Sequence, residues 1–186
     1  MPILHKETRR LLAGVLTTFM VLLSSPLAIR ALARDENPEV TRLLAEARGE
    51  AAALSKDADE MESLTRSDAS WQSHAAMLDR IKDHINNLGR TIGKLNSLRD
   101  SASEWQQQAI DRSIPLMQDL AANTTAAINH LNENRLRPTS GSYTEYLEEN
   151  TETAHELSDM ISSFVRYGET RAKLDQFEHR LEIASR

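Results

Sequence analysis

Residues 71–95 read WQSHAAMLDRIKDHINNLGRTIGKL, and the apolar positions in this stretch recur in a pattern that suits one face of a helix. Trp71, His74, Leu78, Ile81, Ile85, Leu88, Ile92 and Leu95 alternate in steps of three and four, and seven of these eight positions are apolar. An unbroken seam of this kind predicts a helix packed nearly parallel or antiparallel to a neighbour along its whole length.

The flanking sequence supplies the neighbours. Asn37-Pro38 is a helix start, because Asn accepts from free backbone N–H groups and Pro fits the first helical position. Val40, Leu43, Leu44, Ala47, Ala51, Leu54, Ala58, Met61 and Leu64 then follow at helical spacing. Ser101-Ala102-Ser103-Glu104 reads as a capping box opening a third helix. Its seam is Ile110, Ile114, Met117, Ala121, Thr124, Ile128 and Leu131, with a second stripe through Trp105, Ala109, Leu116, Leu120 and Ala127. Pro115 inside it predicts a kink. Pro138-Thr139-Ser140-Gly141 is a loop, and Ser142-Tyr143-Thr144-Glu145 a further capping box. Tyr143, Leu147, Asn150, Ala154, Leu157, Ile161 and Phe164 form a fourth seam, continued after a register change at Gly168, which reads as a hinge, by Leu174, Phe177 and Leu181. The expected fold is all-α: an antiparallel up-down-up-down four-helix bundle, helices at about 38–65, 68–99, 102–134 and 142–182. The last helix, at ~1.5 Å per residue, should overrun the others by two turns or more.

Residues 1–33 form the other expected unit, an N-terminal signal peptide, leaving 34–186 as a single helical-bundle domain. Lys6, Arg9 and Arg10 make a basic start, Leu11 to Ile29 is an apolar run, and Ala31-Leu32-Ala33 puts small residues where a signal peptidase reads them. The run is also about long enough for a retained anchor, against which Pro26 and the Ala-x-Ala argue. Thr8-Arg9-Arg10-Leu11-Leu12 resembles a twin-arginine export signal, with Ala13 and Gly14 departing from the fuller pattern. That resemblance implies a route for proteins that fold before export.

Composition narrows the function. The 186 residues carry 22 Lys+Arg, 28 Asp+Glu and no cysteine. Beyond residue 33 the formal charge is −9, which repels phosphate backbones and anionic lipid heads. Nucleic acid is therefore not an expected partner, nor is a membrane once the signal is cut. The lack of cysteine excludes disulfides and thiol catalysis.

No Gly-x-Ser-x-Gly, His-Glu-x-x-His or phosphate-binding glycine loop is present. Glu152-Thr153-Ala154-His155 is a single Glu-x-x-His, whereas di-iron bundles need two and further glutamates. His74, Met61 and His130 are the candidate cofactor-binding residues, because the topology brings all three to one end of the bundle. A Met–His or His–His pair across a bundle resembles, in architecture and ligand type, periplasmic haem bundles of the cytochrome b562 kind. That resemblance implies haem as the cofactor of an alternative reading; the first reading has none, and no metal site is expected in either. His84 and His155 lie near mid-height and read as surface histidines. Gly89 and Gly93 are spaced for a close neighbour, and Asn150 reads as a polar residue at a wet bundle end.

The first functional expectation is a periplasmic or secreted helical bundle, not an enzyme, that acts as an interaction, structural or adaptor protein. Its partner is another protein or a second copy, engaged through the C-terminal helix.

Overall fold

A computed structural model describes residues 35–184. The expected export signal, with its twin-arginine stretch and Ala-x-Ala, lies outside these residues. The described chain is all-helical and forms a bundle of four α-helices, with one short 3-10 turn and no strand. These are α1 (Pro38–Thr65), α2 (Trp71–Ser97), α3 (Glu104–Glu133) and α4 (Tyr143–Ala184). None of the described helices is long and apolar enough to cross a membrane.

Local chemistry sets the helix ends. The Asn37 side chain accepts from the backbone N–H groups of Glu39 and Val40, and Pro38 follows it at the start of α1. Ser70 caps α2, which begins at Trp71 and not near residue 68. The third cap is also displaced. Ser101 lies in the 3-10 turn Arg99–Ser101, and Ser103 opens α3, with Gln106 Oε1 accepting from its backbone N–H. Helix α3 runs through Pro115, which sits on its exposed side. Gly141, at φ 61°, makes the left-handed turn that leads into α4.

Side-chain pairs fix the order of packing. Asp57 meets Arg80, and Glu50 meets His84 and Asn87, so α1 and α2 run antiparallel. Arg48 meets Glu169 and Ser55 meets His155 across α1 and α4. Thr124 meets Asn150 and Trp105 meets Tyr167 across α3 and α4. The seam read from residues 71–95 is buried from His74 to Leu95, and Leu54, Leu88, Ala109, Leu120 and Leu157, drawn from all four helices, are each 0 % exposed in the shared core.

Asn150 departs from its expected place. It is 2 % exposed and donates to Thr124 Oγ1 at 3.0 Å, so it belongs to the interior and not to a wet end. Gly168 departs as well. Helix α4 passes through it unbroken, with no hinge, and runs 42 residues against 27 in α2. Burial stops at Gly168. The last turns stand clear of the bundle, leaving Leu174, Phe177, Leu181 and Ile183 between 55 % and 71 % exposed.

Candidate functional site

The three cofactor candidates lie where the antiparallel packing puts them, at the end holding the α1–α2 and α3–α4 connections. His74 occupies the α2 seam and is fully buried; Met61 is buried in the core. Tyr143, the first residue of α4, lies between the two histidines. Its ring centroid is 5.6 Å from that of His74, edge-on, and 5.4 Å from that of His130, stacked. Its hydroxyl stands 3.3 Å from His74 Nδ1. Burial holds the His74 imidazole below its ordinary pKa and pushes the Tyr143 phenol up. Each histidine keeps one buried Nε2 with no hydrogen-bond partner among the described residues.

The sequence thus brought the two histidines to one layer, but a phenol fills the space between them. Tyr143 is 0 % exposed, so the layer is a packed aromatic stack, not a slot. These residues do not fit a haem held between facing ligands. No group of three or more His, Asp or Glu side chains able to hold a metal occurs among the described residues.

His84 and His155 serve separate clusters, both built on α1. His84 Nδ1 is 2.7 Å from Glu50 Oε1, and its Nε2 is 3.2 Å from Asp57 Oδ2, an ion-pair distance without hydrogen-bond alignment. Asp57 is nearly buried and is held at 2.5 Å by the Arg80 guanidinium. Burial pushes the Glu50 carboxyl up, but hydrogen bonds from His84 and Asn87 outweigh it and leave the group below its usual range. A carboxylate with two cationic or donor partners is well satisfied, so this cluster fastens α1 to α2.

The second cluster resembles hydrolytic machinery in composition. Ser55 Oγ lies 3.1 Å from His155 Nδ1, and His155 Nε2 lies 2.8 Å from Asp59 Oδ1. Acyl transfer also needs free N–H donors for a developing oxyanion. Ser55 sits in the interior of α1, where backbone N–H groups are committed to the helix. The arrangement therefore supplies a base beside a hydroxyl but no oxyanion hole, and it reads as a tie between α1 and α4.

The remaining feature is a surface on the outer side of α4. Between α3 and α4, at the end opposite the histidine layer, is a groove of about 790 Å³. Its apolar lining is Trp105, Met160, Phe164 and Tyr167. The Arg112 guanidinium stands 5.8 Å from the Phe164 ring centroid, and Arg171 stands 5.8 Å from that of Tyr167. Trp105 is fixed at the rim by its Nε1–H, which donates to Glu36 Oε1 at 2.9 Å. Along α4 the groove side continues into the overhang, because Met160, Phe164, Tyr167, Leu174, Phe177 and Leu181 follow one another at helical steps. The sequence had shown the overhang's stripe. It had not shown the groove, which depends on how α3 and α4 diverge at their exposed sides.

A smaller groove of about 550 Å³ separates α2 from α3 at Gly89 and Gly93. Neither glycine permits a close approach within the chain: a β-carbon on Gly89 would meet only Met117 Cε at 4.0 Å, and one on Gly93 would meet nothing within 4 Å. Compared with known protein families, curated proteins and solved structures, the chain matches none.

Proposed function

We propose that this is an exported, non-enzymatic interaction protein: an up-down-up-down bundle that works in the periplasm or outside the cell and binds another protein through the outer face of α4. The observation that carries this reading is the overhang. Leu174, Phe177 and Leu181 are all more than half exposed on one face of a 16-residue projection. Covering each such side chain is worth about 1.5–3 kcal/mol. A patch of this kind on an otherwise well-packed chain marks a binding surface. The acidic charge beyond residue 33 and the groove alongside favour a protein over a phosphate-bearing partner.

The export part of the reading rests on residues 1–33 and is tested by mass spectrometry of the protein recovered outside the cytoplasm. The expected N-terminus is at or near Arg34; one retaining Met1 or Pro2 would replace the signal by an anchor. The binding part is tested by cross-linking in the extracytoplasmic fraction. Phe177→Asp should abolish the cross-linked species while leaving the helical circular dichroism unchanged. Equal cross-linking by the variant would remove α4 from the binding surface. A Soret band in the purified chain would favour a haem carrier instead.

A further inference from the structure

We infer that the partner seated on the α4 face is the α4 overhang of a second copy, antiparallel and reciprocal, an inference that rests on the α4 face being the binding surface. The apolar residues of this face are spaced as mirror images. Met160, Phe164 and Tyr167 are separated by four and then three residues; Leu174, Phe177 and Leu181 by three and then four. The mirror point falls between Thr170 and Arg171. A two-fold dimer requires one surface to be its own complement, and an antiparallel helix pair about this point aligns 160 with 181, 164 with 177 and 167 with 174. The first three residues line the groove and the last three project beyond the bundle. Each overhang therefore has a groove to enter, and the two bundles lie end to end without competing for space.

Charge agrees with the alignment. In a two-fold antiparallel pair, like flanks of the two helices meet. The α3 side of the overhang carries Glu178, which falls beside Phe164 and its Arg112 guanidinium in the other copy. The Arg180 guanidinium stands over the Phe177 ring, 4.7 Å from its centroid, and because 180 aligns with 161 it falls beside Asp159 of the groove lining in the other copy. The helix is continuous through Gly168, so the overhang does not turn back onto its own groove.

The test uses the chain from residue 34 onward. Light scattering is expected to give a dimer, and Phe177→Asp a monomer that keeps its helical circular dichroism. Because the chain has no cysteine, single cysteines report geometry. Thr170→Cys should form an intermolecular disulfide on oxidation, since the two copies meet there. Leu181→Cys should not, because the two positions lie about 30 Å apart at ~1.5 Å per residue. A monomer at high concentration, a dimer that survives Phe177→Asp, or a disulfide at Cys-substituted 181 would each overturn the inference. If the chain is monomeric and Phe177→Asp still abolishes extracytoplasmic cross-linking, self-pairing falls and the binding reading stands; if the variant changes neither, both fall.

Discussion

Gly168 and Trp105 fit together because the glycine has no side chain. A β-carbon at 168 would stand 2.7 Å from the indole Cη2 and 2.9 Å from Cζ2. Trp105 cannot swing away freely, because Glu36 holds its Nε1 and Tyr167 meets its ring edge-on at 5.7 Å. Gly168→Ala is therefore expected to destabilise the bundle by about 1–3 kcal/mol in urea unfolding, the usual range for overpacking. A hinge glycine would respond the other way, gaining about 1 kcal/mol from better helix propensity.

Gly93 gives the control. It is exposed, and a β-carbon there meets nothing within 4 Å. Gly93→Ala should stabilise by about 0.5–1 kcal/mol through helix propensity and reduced freedom of the unfolded chain. A loss of stability would mean that the groove between α2 and α3 is occupied in the working protein.

Leu88 is the centre of the α2 seam and is 0 % exposed. Leu88→Ala should cost about 2–5 kcal/mol, the sum of lost burial and a residual cavity. The same measurement on Leu136→Ala, at 99 % exposure in the α3–α4 loop, should shift stability by less than about 0.5 kcal/mol.

The histidine layer predicts a pH dependence of definite sign. Burial lowers the His74 pKa in the fold from its ordinary 6.5, so the unfolded chain takes up the proton first. Stability is then full above pH 6.5 and falls as the pH drops below it, levelling off once the folded imidazole also titrates. Glu50 acts in a lower window, below 4.5, where protonation removes the His84 and Asn87 contacts. Melting temperatures at pH 7.5 and 5.5 therefore isolate the histidines. His74→Phe should reduce the drop between these two values; an unchanged drop would assign it to another group.

The helices were legible because their cores obey a single period. Leu54, Met61 and Leu88 could be named as interior residues from spacing alone, and His74 was placed inward because it holds a seam position. Polar residues on the same seams were harder to place. Asp57 stands three residues after Leu54 and four before Met61, which puts it on the core side of α1. Arg80 and His84, four apart on α2, were the available counter-charges, yet pairing them needed the relative height of two helices. Asn150 was misplaced for the same reason: its position relative to Thr124 is set by the α3–α4 connection, which sequence does not measure. Tyr143 was recognised as the first residue of a seam, but its position between His74 and His130 follows from the turn at Gly141. The groove beside Trp105 left no periodic trace because it is formed by the gap between two helices.

Gln106 decides how the start of the bundle can open. It is fully buried, accepts from the backbone N–H of Asn37 and of Ser103, and donates to the Asn37 carbonyl and Thr41 Oγ1. Every polar position of the side chain is used, and the residue just before α1 is clasped to the start of α3. Glu36 is held in turn by Trp105 and lies 3.6 Å from Arg171. The chain is therefore gripped from Glu36 onward, and freeing it requires the start of α1 to part from the start of α3. A protease acting on residues 36–37 of the folded chain would wait for that parting, and cleavage there would proceed at the rate at which the Gln106 clasp opens.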